Sequence, residues 1–179
     1  MNILRSLVAL VAMVAIAGCE RKSEVAAPQT AQCGEVTFQF PQNWKATVKD
    51  MGFIQMARVE SPGNAVAVLT VYPINHDISA RSYTESFVET MVGSGSFAKI
   101  EGGAVQEKNG VLGVAVVATV AGASVPHTLQ VSEHKVGGRK VFCLTQVADK
   151  DMGLVDAGFG LIRSTIAETK KDAATPPNK

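Results

Sequence analysis

The sequence predicts an α+β domain, a three-layer α/β/α sandwich with a central antiparallel sheet flanked by two helices. Three observations carry this. Residues 65–72 (AVAVLTVY) and 111–120 (VLGVAVVATV) are apolar on both faces, as strands covered from both sides are. Turn signals link neighbouring strands, Asn109 and Gly110 foremost, and hairpin links imply antiparallel pairing. Two amphipathic helical stripes, one mid-chain and one near the end, supply a cover for each face. No internal repeat is visible, which argues against a solenoid or propeller.

Taken in order, Val36, Phe38 and Phe40 alternate with Thr37 and Gln39, the pattern of a half-buried strand. Pro41, Gln42 and Asn43 turn the chain, and 44–49 and 53–60 read as two more strands. The cluster Ser61, Pro62, Gly63, Asn64 is a turn leading into 65–72. Ser79 is placed to cap a helix. Its apolar stripe is Tyr83, Phe87, Val88 and Met91, with Arg81, Glu85 and Glu89 elsewhere. Gly93, Ser94, Gly95 and Ser96 stop it. A strand at 104–108 enters the Asn109–Gly110 turn and returns as 111–120. In 125–135, Val125, His127, Leu129 and Val131 share one side. Val136, Gly137 and Gly138 turn the chain into the last strand, 139–148. Met152, Val155, Phe159, Ile162 and Ile166 then recur every three or four residues, a closing amphipathic helix.

Ahead of this domain, Arg5 precedes an unbroken apolar run of eleven residues, 7–17. A permanent span needs about 20 apolar residues, so charge, short apolar core and small residues read as a secretory signal. Ile16, Ala17, Gly18 and Cys19 resemble the lipobox of bacterial lipoproteins. The resemblance implies cleavage after Gly18 and lipidation of Cys19. A thiol and a free amine together carry several acyl chains, and two or more anchor stably where one does not. By resemblance to enterobacterial lipoprotein sorting, Glu20, rather than an aspartate, at the second mature position leans toward the outer membrane over the inner. The expected organisation is a signal peptide at 1–18, a flexible polar tether at 19–32, one domain at 33–168 and a disordered tail at 169–179 with no apolar face.

Cleavage removes one arginine and leaves 16 basic against 16 acidic residues. A neutral chain lacks the basic surface that nucleic-acid binding needs. With Cys19 assigned to lipid, Cys33 and Cys143 are a candidate disulfide, which an exported chain permits. The closed loop of more than about 100 residues is worth ~4–5 kcal/mol at most by chain entropy. The alternative is two unrelated thiols.

A strand ending in Phe40, Pro41, Gln42, Asn43 and Trp44 ("FPQNW"), a doubly apolar strand, one mid-chain helix, the Asn109–Gly110 hairpin and a closing amphipathic helix resemble the PsbP-like and DcrB-like group. The resemblance spans residues 36–167 in pattern. It implies a non-catalytic binding or assembly module in the cell envelope, and no catalytic motif to carry over.

The residues themselves offer little chemistry. His76, His127 and His134 lack zinc-type partners at close spacing, and no metal or other cofactor is expected. His127 and His134, seven apart on one strand, face opposite sides. The run 93–96 lacks the spacing of a nucleophile elbow and follows a helix, whereas a phosphate cradle precedes one. Glu85 and Glu89 lie on the wet face of their helix, without the cleft that acid–base work needs. Gly137 to Lys140 read as a hairpin with solvated charges. Trp44 is a candidate partner contact, since tryptophan is enriched in hot spots, or else it caps the core.

The expectation is therefore a lipid-anchored envelope protein, periplasm-facing or on the surface, that binds a protein partner and is not an enzyme. An immunity or exclusion lipoprotein, blocking a toxin, phage or conjugating cell, is the alternative. An envelope hydrolase is the third reading.

Overall fold

The computed structural model describes residues 22–95, 97–120 and 123–169. The leader, Cys19 and the tail from 170 onward lie outside them. The described residues form an α+β fold, as expected, with two helices and antiparallel sheets.

The main sheet holds β3 (Lys45–Asp50), β4 (Gln55–Glu60), β5 (Val66–Ile74), β6 (Phe97–Lys108), β7 (Val111–Val120), β8 (Ala123–Val136) and β9 (Arg139–Ala148). Their spatial order is β3-β4-β5-β9-β8-β7-β6, antiparallel throughout. Local chemistry sets the two tightest turns. Asn109 and Gly110 take φ of 54° and 74°, and Gly137 and Gly138 take 54° and 76°, the paired positive values of a type I′ hairpin. The doubly apolar segments occupy β5 and β7, inside the sheet as expected.

Helix α1 (Ala80–Gly93) starts where the sequence places it. The Ser79 hydroxyl accepts from the Ser82 backbone N–H at 3.0 Å, satisfying a donor that the first turn leaves free. Its stripe of Tyr83, Phe87, Val88 and Met91 packs on the face of the sheet carrying Met56, Val68, Leu112, Val114, Leu129, Val131, Phe142 and Leu144. Helix α2 (Met152–Thr165) buries Val155, Phe159 and Ile162. These meet the opposite face of the sheet, through Val59, Leu69, Val141 and Val147.

The second cover differs from the expectation. A separate three-stranded sheet, order β1-β2-β10, shares that layer with α2. It comprises β1 (Gln29–Cys33), β2 (Val36–Phe40) and β10 (Ala167–Glu168). Val36, Phe38 and Phe40 point from β2 into the core beside α2. The layers are thus helix, large sheet, and helix plus small sheet.

The expected tether through residue 32 is corrected as well. From Lys22 onward the chain is laid on the domain. The Ser23 backbone N–H and hydroxyl both donate to the Leu154 carbonyl, at 3.0 and 3.1 Å. Asn43 grips the neighbouring backbone from both sides. Its Nδ2 donates to the Lys22 carbonyl at 3.0 Å, and its Oδ1 accepts from the Glu24 N–H at 3.1 Å. The Gln42 N–H donates to the Glu24 carbonyl at 2.9 Å, and Gln29–Cys33 pairs along all of β2. A polar composition predicts a solvated leash, but these residues satisfy their backbone groups on the domain.

Candidate functional site

The register of the large sheet defines two ends. One is the row Lys45, Glu60, Val66, Gln146, Leu129. The other begins at Asp50, Gln55, Val71, Val141, His134 and runs out to Ile74 opposite Arg139. The candidate site is at this second end. The β3–β4 turn, closed by the Met51 N–H on the Ile54 carbonyl at 3.0 Å, holds out Phe53. Just past the end of β5, His76 stacks on Tyr72, centroids 4.6 Å apart and rings 1° from parallel. Phe53 sits edge-on to both, at 5.2 Å from His76 and 6.5 Å from Tyr72. Tyr72 continues inward to Tyr83 and Phe142, so the surface cluster is the outer rim of the core beneath α1.

Phe53 is 50 % and Ile74 52 % exposed. Phe53, backed by the stacked Tyr72 and His76, presents a rigid apolar surface of the kind that seats a partner, and Ile74 is exposed at the same end of the sheet. Sequence reading missed both. Phe53 falls inside an expected strand and Ile74 beyond the expected end of another.

Of the two readings of Trp44, the structure supports the cap on the core and not the partner contact. It is 2 % exposed and packs edge-on against Phe159 of α2, centroids 5.5 Å apart. Its indole fills the junction where Pro41, Ser23 and α2 converge. A Cβ on Gly158 would lie 2.7 Å from Trp44, 2.8 Å from the Ser23 hydroxyl and 2.9 Å from Pro41. Gly158→Ala is therefore expected to destabilise. Overpacking costs about 1–3 kcal/mol, against a helix-propensity gain of at most ~1 kcal/mol. Urea unfolding measures the balance, and a stabilised variant would show that the junction yields.

The candidate disulfide is not formed. Cys33 and Cys143 are both buried free thiols, one on the small sheet and the other in the middle of the large one. Burial, with Asp50 adding to it, pushes Cys33 up to about 11. Burial pushes Cys143 up to about 12, partly opposed by Arg163. Both stay protonated at neutral pH, and thiols attack only as thiolates.

A polar stripe runs along the α2-side face of β8. Thr128 donates to Asp149 at 2.7 Å, Arg163 donates to Gln130 at 3.1 Å, and the Ser132 hydroxyl lies 2.9 Å from His134 Nε2. The last pair has the spacing of a nucleophile and its base, and its i, i+2 placement on one strand is legible by period two. A base in such a pair is oriented by an anion that stabilises its imidazolium. Here burial and the Arg163 cation both lower the His134 pKa, the opposite influence. Among the described residues no three His, Cys, Asp or Glu side chains are grouped to hold a metal ion. Glu85 is paired with Arg81 at 3.8 Å on the exposed face of α1.

His127, on the other face, is also depressed by burial, with Asp149 and Asp151 opposing. The unfolded chain then takes up protons on both histidines before the folded one does. Stability is complete above the free-histidine range and falls as pH drops through 6.5 and below. The urea midpoint is expected to decrease between pH 7.5 and 5, and less so in His127→Gln/His134→Gln.

These features define a small α+β sandwich with an aromatic rim at one end of its sheet and no assembled catalytic constellation among the described residues. No protein-family model and no curated protein matches the chain. Two solved structures are similar in outline. One is the solution structure of cyanobacterial PsbP (CyanoP) from Synechocystis sp., at TM-score 0.45 and 11 % identity, over 80 % of this chain and 94 % of that one. The other is LpqN of Mycobacterium tuberculosis, described as involved in cell envelope biogenesis, at TM-score 0.39 and 12 % identity, over 80 % and 91 %. Likenesses this loose bear on neither the site nor the function. Among the described residues no helix is long and apolar enough to cross a membrane.

Proposed function

We propose that the chain is a lipid-anchored, non-catalytic binding module of the bacterial cell envelope. The binding half of this reading rests on one observation, the half-exposed Phe53 on the aromatic rim, with Ile74 exposed at the same end of the sheet. A partner covering them removes apolar surface from water, worth roughly 25 cal/mol per Å². The anchoring half rests on Ile16, Ala17, Gly18 and Cys19 closing a short apolar leader. Glu20 favours the outer membrane.

Two experiments test the halves separately. Cys19→Ser is expected to move the protein from the membrane to the soluble fraction and to abolish acyl labelling. Labelled, membrane-bound Cys19→Ser protein would overturn the anchor. For binding, the protein and its Phe53→Asp/Ile74→Asp variant are purified from cross-linked envelopes. A specific partner retained by the first and lost by the folded variant supports the rim as the site. Equal retention places the contact elsewhere.

A further inference from the structure

The anchor and the rim stand in a fixed geometrical relation. The N-terminal segment is gripped at Ser23 by Leu154 and around it by Asn43. Both holding points are at the first end of the sheet. Asn43 lies just before β3 starts at Lys45, and Leu154 lies in the first turn of α2, after β9 ends at Ala148. The hydrogen-bonded backbone begins at Lys22, three residues after Cys19. At ~3.3–3.6 Å per residue, those three span at most about 11 Å. A free leash of the expected fourteen residues would have a root-mean-square reach of ~20 Å and a much longer maximum.

We infer that the lipidated protein stands on the bilayer with its Ser23 end held against the headgroups and its Phe53–Ile74 rim turned away. This rests on the anchor reading, to which it adds an orientation. Strand β5 runs from Val66 at the near end to Ile74 at the far end. Nine residues at about 3.3 Å each carry the rim roughly 25–30 Å outward. The near end exposes Lys22 and Lys45 but also Glu24 and Asp149, so charge attraction to anionic lipid is not the cause. The short covalent connection is, and the orientation is therefore indifferent to salt, unlike that of a polybasic patch.

The test uses full-length lipidated protein in vesicles of phosphatidylethanolamine and phosphatidylglycerol doped with a nickel-chelating lipid. A nitroxide is attached to Gln42→Cys at the near end or to Lys135→Cys at the far end, both exposed positions. The buried thiols of Cys33 and Cys143 are poor competitors for the label. Relaxation enhancement by the headgroup nickel is expected to be several-fold greater at 42 than at 135, and to stay so in high salt. Inserting ten Gly and Ser residues between Glu20 and Arg21 should erase the difference while the protein still floats with the vesicles. Floating protein with equal enhancement at both positions overturns the orientation alone. Protein that does not float overturns the anchor, and the orientation with it.

Discussion

Trp44→Ala is expected to lower the stability of the domain by about 3–5 kcal/mol, the usual cost of truncating a buried aromatic. Trp44 is 2 % exposed and edge-on to Phe159. Removing the indole opens a cavity between α2, Pro41 and the Ser23 segment, which Gly158 brings closer together than a residue with a Cβ would allow. Among the described residues the indole N–H is buried without a partner, so the alanine variant is relieved of one unsatisfied donor, worth about 1–3 kcal/mol. That relief places the result toward the lower part of the range. Urea unfolding followed by circular dichroism measures it. A loss under about 1 kcal/mol would mean that the residue behaves as a surface contact, whose truncation leaves no cavity.

Phe142→Ala is expected to cost as much, about 3–5 kcal/mol, but on the other face. Phe142 is fully buried in β9. It stacks on Tyr83 of α1 at 4.6 Å and 17°, and meets Tyr72 edge-on at 5.6 Å. Tyr83 in turn shares a hydrogen bond of 3.0 Å with Thr70. Losing Phe142 removes the surface against which that tyrosine is oriented. The near-ultraviolet tyrosine signal should therefore weaken even in conditions where the variant remains folded. Near-ultraviolet circular dichroism and urea unfolding check the two effects. An unchanged tyrosine signal would show that Thr70 alone fixes Tyr83.

The parts of this fold that were legible in the sequence are those decided within a few residues. Ser79 caps its own helix, and Asn109-Gly110 and Gly137-Gly138 make their own turns. The doubly apolar β5 and β7 announce that something covers both faces. The small sheet was not legible because neither partner of β2 carries an apolar pattern. In β1, QTAQC buries only its last residue fully, and β10 is two exposed residues. Both exist because β2 offers hydrogen-bonding edges, a property of the assembled layer. Ser23 reads as linker because its acceptor lies 131 residues away. Trp44 is decided by Gly158, whose missing side chain leaves the indole room to turn inward. The candidate site was hidden for a related reason. Phe53 is an isolated apolar residue along the chain, and meets Tyr72 and His76 only once β3, β4 and β5 align. The Ser132–His134 pair was open to a period-two reading, but the Arg163 that acts on it comes from α2.

Strand β2 also sets an order of events. It pairs with β1, made just before it, and with β10, made near the end of the domain, while the Thr169 N–H closes on the Glu35 carbonyl at 2.8 Å. As a chain emerges N-terminus first, the β1–β2 hairpin can form at once, but its inner face, which packs with residues of β4, β5, β9 and α2, is fully covered only when that last helix is in place. Contacts of such long sequence separation slow folding. Until the last helix is in place Val36, Phe38 and Phe40 lack part of their cover, and apolar surface left open in this way is what makes an incompletely folded chain prone to aggregate.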